Sequence, residues 1–316
     1  MHKLSVVIPV YQDELSIRTN FLALRNELDR ASELFHYEVI LVNDGSRDNS
    51  LLQLEQIHSE FPSSVGVVNL TRNFGQVAAI LAGLGRCTGD CAAVISSDLQ
   101  DPPELIAEMF RLWREGSQTV IGTRESREDS RFSKLTSRFF YRLMQRYALP
   151  GIPSSGFDFF LLDRAVIDRI LNSPERNGFL QGQILAASGR VAQIPYTRRA
   201  RQIGKSGWTV FRKLKYFVDG FVAYSFVPVR FITLLGVVAF VSAVLLSIVL
   251  VLQRLLFGTE AAGWSSVMIA LLVLHGFELL AIGIVGEYVW RALDQVRPRP
   301  IYVVEYFKPP VSEMEG

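Results

Sequence analysis

A run of uncharged residues near the C-terminal end constrains this chain more than any other feature. The run is FITLLGVVAFVSAVLLSIVLVL, 22 residues from Phe231 to Leu252. As an α-helix it would be about 33 Å long, enough to cross a hydrocarbon core of about 30 Å. A second apolar stretch, from Trp264 to Val289, carries three ionisable residues, His275, Glu278 and Glu287. The sequence therefore predicts a membrane protein with two spans, both in its C-terminal part.

Basic residues flank the two predicted spans and are scarce between them. Four precede the first span and four follow the second: Arg212, Lys213, Lys215 and Arg230, then Arg291, Arg297, Arg299 and Lys308. The connecting loop has Arg254 alone. By the positive-inside tendency both termini are expected in the cytoplasm, with the protein in the inner membrane of the cell. The large N-terminal part would then face the cytosol.

The rest of the composition narrows the class of protein. With 33 basic and 31 acidic residues, the total charge does not suggest a general surface for polyanions, and no nucleic-acid partner is expected. Its start, MHKLSVVIPVY, has a short apolar run that Pro9 breaks, which predicts a β-strand rather than an export signal. Cys87 and Cys91 are the only cysteines, and their spacing suits neither a zinc set nor a disulfide framework. We expect structural thiols in a reduced compartment.

Strand and helix patterns alternate through the first hundred residues. The predicted strands are KLSVVIPVY, YEVILVND, SVGVVNL and CAAVISSD. The predicted helices between them are Ser16 to Leu34, SLLQLEQIHSEF and GQVAAILAGLGRC. Continuous apolar strands separated by helices are typical of parallel strands covered on both faces, so we predict a doubly wound α/β sheet. Ligands of such sheets bind beyond the carboxyl ends of the strands.

Each predicted strand ends in acidic or amide residues. In chain order these are Asp13 and Glu14, Asp44, Asn73 and Gln76, and Asp98, Gln100 and Asp101. Converging carboxylates repel one another unless a cation or hydrogen-bond donors hold them, so a divalent metal is a natural guest. Mg²⁺ takes one or two protein carboxylates and fills its remaining positions with water and phosphate oxygens, which a nucleoside diphosphate would supply.

Structural explanations exist for several of these residues. Asp44 and Gly45 form a common turn pair, and NDGSRDNS can end a strand and cap the next helix. Asp13 and Glu14 can serve as first-turn charges of a helix, where the macrodipole favours acids. Four polar strand ends together favour a ligand site, but no single residue decides between the two interpretations.

Five motifs resemble those of the family 2 glycosyltransferases with the GT-A fold: VVIPVYQDE, VNDGSRDNS, RNFGQVAAILAGL, SSDLQDPPE and GTRESRE. More narrowly, the chain resembles the polyprenyl-phosphate glycosyltransferases, which include relatives of dolichol-phosphate mannose synthase. The C-terminal stretch GIVGEYVWRALDQVRPRPIYVV resembles their bactoprenol glucosyltransferase and aminoarabinose-transferase branch. The resemblance implies a mixed, mostly parallel GT-A sheet, followed by interfacial amphipathic helices and two transmembrane helices. The expected divisions are a cytosolic domain at 1–207, juxtamembrane helices at 208–229, a membrane hairpin at 230–290 and a cytosolic tail at 291–316.

The resemblance also implies a donor site. Its nucleotide-sugar contacts fall on Pro9, Tyr11, Asp13, Asp44, Asn73, Gln76, Ser97 and Asp98. Asp98 and Gln100 would bind the Mg²⁺ or Mn²⁺ that bridges the two donor phosphates. The sequence departs from the family at Ser96, because members commonly have Asp-x-Asp there. A hydroxyl is a poorer ligand than a carboxylate, so we expect weak metal affinity in the absence of donor.

A basic segment after Gly122 matches the acceptor side of the family. Arg124, Lys134 and Ser137 correspond to residues that contact the acceptor phosphate, where charge-assisted hydrogen bonds would hold it. The same segment mixes further arginines with aromatic residues, so it also suits a basic helix lying on anionic lipid. Both interpretations stay open.

Two further residues receive catalytic roles from the resemblance. Asp158, in SGFDFFLLDR, stands in a Gly-Asp-Phe-Arg-like motif in which Phe160 replaces the usual basic residue. It would orient the acceptor or take its last proton. Arg201, followed by Gly204 and Gly207, would close over the donor diphosphate as a mobile cation. For the segment that contains Arg201, membrane anchoring is the alternative role.

The resemblance therefore implies an inverting enzyme that moves a sugar from a nucleotide diphosphate to a polyprenyl phosphate for cell-envelope glycosylation. Glucose from UDP-glucose is the first choice, with N-acetylhexosamine, galactose, aminoarabinose or mannose as alternatives, or an inactive regulatory relative. A processive polysaccharide synthase is disfavoured because a Gln-x-x-Arg-Trp stretch is absent. A transporter would leave the N-terminal domain unexplained. The expected partners are the nucleotide sugar, the lipid, the membrane, further copies in a homo-oligomer such as a tetramer, and a flippase for the product.

Overall fold

The computed structural model describes residues 1–124, 142, 145–146, 151–153, 156–172, 179–199, 225, 227–257, 263–297 and 299–311. Contacts divide the chain into two compact units. The sheet unit comprises Met1–Gly220 with Arg299–Gly316, and the helical unit comprises Phe221–Pro298.

An eight-stranded sheet forms the centre of the sheet unit. Its strands are β1 Lys3–Val10, β2 His36–Asn43, β3 Val65–Leu70, β4 Cys91–Val94, β5 Thr119–Arg124, β6 Phe160–Asp163, β7 Val191–Tyr196 and β8 Val304–Lys308. They lie in the order β7-β5-β6-β4-β1-β2-β3-β8. Strands β6 and β8 run antiparallel to their neighbours, and the others share one direction. The prediction of a mixed, mostly parallel sheet is confirmed.

Helices cover both faces of this sheet. They are α1 Ile17–Arg30, α2 Ser50–Glu60, α3 Gln76–Leu84, α4 Leu105–Arg114, α5 Arg164–Asn172 and α6 Leu180–Ala187. Helix α1 buries Ile17, Phe21, Leu24 and Leu28, a spacing that places all four on one helical face. The helix ends at Arg30, earlier than the predicted Leu34, because Ala31 to Leu34 turn back on themselves through backbone hydrogen bonds.

The apolar strands are buried on both faces, which explains their continuous hydrophobic runs. Neighbouring residues of β1 belong to opposite cores: Val6 packs with Phe21 and Phe110, whereas Val7 packs with residues of α3. Helix α3 approaches β1 closely, since a Cβ added at Gly83 would lie 2.3 Å from Val7 Cγ1. This sandwich fixes the strand ends from which the loops emerge.

The helical unit contains the two predicted membrane spans. Helix α7 covers Val227–Phe257 and helix α8 covers Trp264–Val296. By length and composition, Val229–Gln253 and Val273–Val296 are candidate membrane-spanning segments. On α8, Glu287 and Arg291 form an ion pair four residues apart, with a distance of 2.8 Å. The expected juxtamembrane helices at 208–229 fall almost entirely outside the described residues.

The C-terminal tail contributes an edge strand that the sequence did not predict. Strand β8 pairs antiparallel with β3, and the N–H of Thr71 donates to the Val303 carbonyl oxygen at 3.1 Å. Glu55 on α2 accepts from the Tyr306 hydroxyl at 2.8 Å and pairs with Lys308 at 2.7 Å. The tail therefore covers what would otherwise be an exposed edge of the sheet.

Candidate active site

The carboxyl ends of β1, β2, β3 and β4 lie along one edge of the sheet, because these strands are parallel. Hydrogen bonds join the loops that leave them. The backbone N–H of Asp13 donates to Ser50 Oγ at 2.8 Å, which ties the β1 loop to the start of α2. The Asn20 side chain donates to the carbonyl oxygen of Ser97 at 2.8 Å, which ties α1 to the loop after β4. The polar strand ends are therefore gathered at one edge.

The two acids after β1 have different surroundings. Asp13 Oδ1 accepts a hydrogen bond from Ser16, whereas its Oδ2 is buried and has no hydrogen-bond donor among the residues that the structure describes. Glu14 Oε2 accepts from the backbone N–H of Asn49 at 2.8 Å. Glu14 thus satisfies the start of α2; it is not the first-turn charge that the sequence left open, because the first turn of α1 holds no acidic residue. Asp13 thus has an acceptor that no described residue satisfies, and that oxygen is buried.

Asp44 organises the loop after β3. Its carboxylate is 3 % exposed and accepts from the backbone N–H groups of Phe74 at 2.7 Å and Gly75 at 2.9 Å. Burial raises the pKa of Asp44, and the two backbone hydrogen bonds oppose that rise without cancelling it. Gly45, with a φ of 61°, lies against the same loop, since a Cβ there would be 2.2 Å from the Arg72 carbonyl carbon. Both oxygens of Asp44 are thus occupied by the protein itself.

The other expected donor contacts occupy the same edge. Pro9 is in β1 opposite Val42, and Ser97 follows β4. Tyr11 is 45 % exposed. Asn73 is exposed on the loop from Thr71 to Gly75, called the β3 loop below, and Gln76 is exposed at the first position of α3. Their contact with a nucleotide stays a prediction.

The turn from Ser96 to Asp101, called the β4 loop below, presents the expected metal ligands. Leu99 has a positive φ of 43°, a conformation uncommon for residues other than glycine. The Ser96 hydroxyl lies 2.8 Å from Asp98 Oδ1 and 3.2 Å from Asp101 Oδ2. Asp98 and Gln100 are partly exposed, whereas Asp101 is fully buried. Only the first two can therefore meet a ligand from solvent.

The ligand atoms of the β4 loop suit a metal ion whose coordination is completed by a bound substrate. Among the described residues, no group of three or more His, Cys, Asp or Glu side chains could hold a metal ion. Asp101 is excluded because the Tyr196 hydroxyl and Arg198 already compensate its charge. One carboxylate, Asp98, and one amide, Gln100, remain. This thin set suits Mg²⁺ bound mainly through phosphate oxygens and water, and does not suit a tightly held resident ion.

Arg124 and Asp158 form an ion pair beside this loop. Arg124 Nη2 lies 2.7 Å from Asp158 Oδ2; the arginine side chain is 3 % exposed and the aspartate side chain 47 %. Burial alone would lower the pKa of Arg124, but Asp158, Tyr196 and Asp101 together raise it. Gln181 donates to the Phe157 carbonyl oxygen at 2.9 Å and so packs against the same turn. Asp158 is consequently a paired and oriented carboxylate.

The segment after β7 holds the β4 loop in place, which sequence reasoning missed. Arg199 donates its backbone N–H to the Gln100 carbonyl oxygen at 2.9 Å, and Gln100 Nε2 lies 3.3 Å from the Arg199 carbonyl oxygen. Arg198 Nε lies 3.6 Å from Asp101 Oδ1. Nothing in the local pattern IPYTRR signals these contacts, because they join residues about a hundred positions apart.

Lys134, Ser137 and Arg201, the remaining expected site residues, lie outside the described residues.

Comparison with known proteins agrees with this architecture. Residues 5–171 match the model of glycosyl transferase family 2. An uncharacterized glycosyltransferase of Bacillus subtilis, YkcC, is 34 % identical over 95 % of this chain and 93 % of its own length. A prophage bactoprenol glucosyl transferase homolog of Escherichia coli is 30 % identical over 97 % of this chain and 99 % of its own length.

A solved structure agrees with the sheet. The mannosyltransferase PcManGT of Pyrobaculum calidifontis, in complex with GDP-Man and Mn²⁺, has a TM-score of 0.51 and 18 % identity. The match covers 70 % of this chain and 63 % of that one. At this identity the likeness concerns the fold alone.

Proposed function

This chain belongs to glycosyl transferase family 2, and on that premise we propose that it transfers a sugar from a nucleotide diphosphate to a polyprenyl phosphate. The chain is a glycosyltransferase; the donor and acceptor are the proposed part. Glucose from UDP-glucose is the first candidate donor. The product would be a lipid-linked sugar for cell-envelope glycosylation.

One observation carries the proposal. The similarity to bactoprenol glucosyl transferases extends over 96 % to 97 % of this chain, so it includes the sheet unit, both candidate membrane-spanning helices and the β8 tail. Similarity confined to the sheet unit would support sugar transfer but would give no support for a lipid acceptor. Similarity that continues through two apolar helices supports an acceptor that itself resides in the membrane.

The donor side of the proposal rests on the strand ends. Asp98 and Gln100 would hold a divalent metal against the donor diphosphate, with Tyr11, Asp13 and the β3 loop around the nucleotide. When bound, the cation would neutralise charge that develops on the leaving diphosphate. Asp44 would act indirectly, because its two oxygens already fix the backbone at Phe74 and Gly75.

The acceptor side rests on Arg124 and Asp158. A phosphate monoester has a second pKa of about 6 and is already an anionic nucleophile near neutral pH. Arg124 would attract this phosphate, and Asp158, held by the same guanidinium at 2.7 Å, would orient it. A strong general base is then unnecessary. A single displacement at the anomeric carbon inverts its configuration.

The membrane arrangement is proposed from the distribution of charge. Both flanks of the hairpin would face the cytoplasm, so the sheet unit would meet a lipid phosphate at the inner leaflet. Assembly into a homo-oligomer and delivery of the product to a flippase are further proposals. A second candidate function, an inactive regulatory relative, is motivated by Ser96, which lacks the carboxylate common at that position of the family.

A donor panel tests the proposed function. Full-length protein in detergent or vesicles is offered UDP-glucose, UDP-galactose, UDP-N-acetylhexosamines, UDP-aminoarabinose and GDP-mannose, each with undecaprenyl phosphate and Mg²⁺ or Mn²⁺. We expect one donor to give a polyprenyl-phosphate sugar of inverted anomeric configuration. Transfer from a donor other than UDP-glucose would correct the sugar alone. No transfer from any donor would overturn the function and favour the inactive relative.

A further inference from the structure

Tyr196 is a buried hydroxyl placed between the two halves of the proposed site. It is the last residue of β7 and is 5 % exposed. Its ring packs edge-on against Phe159, with ring centroids 6.1 Å apart. The hydroxyl donates to Asp101 Oδ1 and accepts a hydrogen bond from Arg124 Nε at 3.3 Å. One side chain therefore contacts both the β4 loop and the arginine proposed for the acceptor.

Asp101 is buried and charged, and the way it is compensated affects Asp98, the expected metal ligand. A fully buried carboxylate needs hydrogen-bond donors. Apart from Tyr196, the described hydrogen-bond donor to Asp101 is Ser96 at 3.2 Å, and Arg198 adds only an ion pair at 3.6 Å. Ser96 has a single hydroxyl hydrogen, which it can direct to Asp98 at 2.8 Å or to Asp101. Tyr196 donates to Asp101 Oδ1 and so compensates part of the carboxylate charge, which lets Ser96 direct its one hydrogen to Asp98 instead of Asp101 Oδ2.

The same hydroxyl fixes the edge of Arg124. The guanidinium donates through Nε to Tyr196 and through Nη2 to Asp158. A planar guanidinium held at two positions has a defined orientation, which a single contact would not give. Without the Tyr196 hydroxyl, Arg124 would keep its charge and its ion pair but lose one of the two contacts that set its plane among the described residues.

We propose that Tyr196 is a positioning residue that couples the β4 loop, through Asp101 and Ser96, to Arg124. This inference rests on the proposed function for the identity of the metal and the acceptor. It predicts that the hydroxyl acts on both metal binding and acceptor binding, although it touches neither ligand. Nothing in the sequence around Tyr196 indicates the role, since its partners come from two distant segments.

The test removes the hydroxyl and keeps the ring. In Tyr196→Phe, we expect the Mn²⁺ concentration for half-saturation in the presence of UDP to rise about tenfold, measured from the free Mn²⁺ signal by electron paramagnetic resonance. The KM for undecaprenyl phosphate should rise several-fold, whereas the KM for the nucleotide sugar at saturating Mn²⁺ should stay at the wild-type value. A merely structural role would not separate the two KM values.

Tyr37→Phe is the matched control. The Tyr37 hydroxyl also donates to an aspartate, Asp29, but on α1, away from the loops of the proposed site. The Tyr37→Phe variant should therefore keep Mn²⁺ binding and both KM values at wild-type levels. Wild-type values for both Mn²⁺ binding and acceptor KM in Tyr196→Phe would overturn the proposal.

A double-mutant cycle with Ser96→Ala tests the path through Ser96, and Ser96→Ala alone keeps the proposal testable if Tyr196→Phe folds poorly, because unchanged Mn²⁺ binding in Ser96→Ala would overturn that path. Ser96→Ala alone should weaken Mn²⁺ binding about as much as Tyr196→Phe, and the double variant should be no weaker than either. Independent, multiplying effects would overturn the path through Ser96. Mn²⁺ titrations with and without UDP need no sugar transfer, so failure of the donor panel and failure of this inference are distinguishable.

Discussion

At the scale of single residues, the proposed donor chemistry depends on one partly exposed carboxylate. We predict that Asp98→Asn lowers sugar transfer at ordinary Mg²⁺ concentrations by at least about 100-fold, because the amide keeps an oxygen ligand but loses the charge that attracts the cation. The unfolding temperature should change little, since Asp98 is not part of the apolar core. Steady-state transfer assays and a thermal melt check both parts. Asp168→Asn, an exposed aspartate of α5, is the control. Full activity in Asp98→Asn would remove this residue from the mechanism.

Ser96 is the residue at which this chain departs from the expected family pattern. Its hydroxyl lies within 3.2 Å of carboxylate oxygens of both Asp98 and Asp101. We predict that Ser96→Asp binds Mn²⁺ more tightly without nucleotide than the wild type does, because a second carboxylate joins Asp98. In the presence of a metal chelator, Ser96→Asp should unfold at a lower temperature than the wild type, because three neighbouring carboxylates then repel one another. Mn²⁺ affinity equal to that of the wild type would show that position 96 does not face the cation.

At the scale of elements, loops that touch through their backbones are the most sensitive part of the site. Gly45→Ala would place a Cβ 2.2 Å from the Arg72 carbonyl carbon and 2.5 Å from the Asn73 backbone nitrogen. Because neither atom belongs to a flexible side chain, the β3 loop must move. We predict a loss of nucleotide affinity, measured by calorimetry with UDP and Mn²⁺. Gly75→Ala is the control for backbone strain. It places alanine at a φ of 96°, but no atom lies within 4 Å of the added Cβ, so it strains the backbone without pushing a neighbouring loop away. Nucleotide affinity preserved in Gly45→Ala would mean that the β3 loop does not contact the donor.

Strand β8 links the C-terminal tail to the carboxyl ends of β3 and β2, from which two of these loops emerge. Asn69 on β3 donates to Glu305 at 2.7 Å and accepts from Asn43 on β2 at 2.8 Å. We predict that deletion of residues 300–316 lowers the unfolding temperature, promotes aggregation through the bared edge of β3 and weakens nucleotide binding. Thermal melts, light scattering and UDP titration check these effects.

A single-residue control separates the strand from its surface contacts. Lys308→Ala breaks an exposed ion pair with Glu55, which typically contributes less than about 1 kcal/mol, so it should resemble the wild type. A deletion variant that behaved like Lys308→Ala would mean that β8 is dispensable.

The contrast between β1 and β8 shows why part of the fold was predictable. Strands β1 to β4 were readable because parallel strands buried on both faces require continuous apolar runs, as in Val65–Leu70. Strand β8, VEYFK, is half-exposed and polar, and it pairs with a residue range more than 230 positions away. Its existence depends on an available sheet edge, which no local pattern records. The contact of Tyr196 with Asp101 escaped prediction for the same reason.

At the scale of the whole molecule, the sheet carries acids at both the carboxyl and the amino ends of its strands, and only the structure tells the two groups apart. At the carboxyl edge, Asp98 is partly exposed and Asp13 has an oxygen that no described donor satisfies. At the amino edge, Glu38 on β2 is 2 % exposed and accepts from Ser5 at 2.7 Å and from the Thr88 N–H at 2.6 Å, with Lys3 at 2.7 Å. Its acceptor sites are filled by the protein, so we assign it to stability rather than to ligand binding.

This assignment predicts how stability depends on pH. Burial alone would raise the pKa of Glu38, but hydrogen bonds from Lys3, Ser5 and Thr88 hold it below the ordinary value of 4.5. A carboxylate whose pKa is lowered by folding stabilises the folded state above its unfolded pKa and loses that contribution as pH falls through the folded pKa. Glu38→Gln should therefore lower the free energy of unfolding by about 2 kcal/mol at pH 7, and the difference from the wild type should shrink below pH 4.5. Urea or thermal unfolding of the full chain across pH measures this, with Glu60→Gln, an exposed acid paired with Arg18, as the control. Sugar transfer at pH 7 and low temperature should be unchanged in Glu38→Gln, and a selective loss of transfer without a loss of stability would place Glu38 in the site instead.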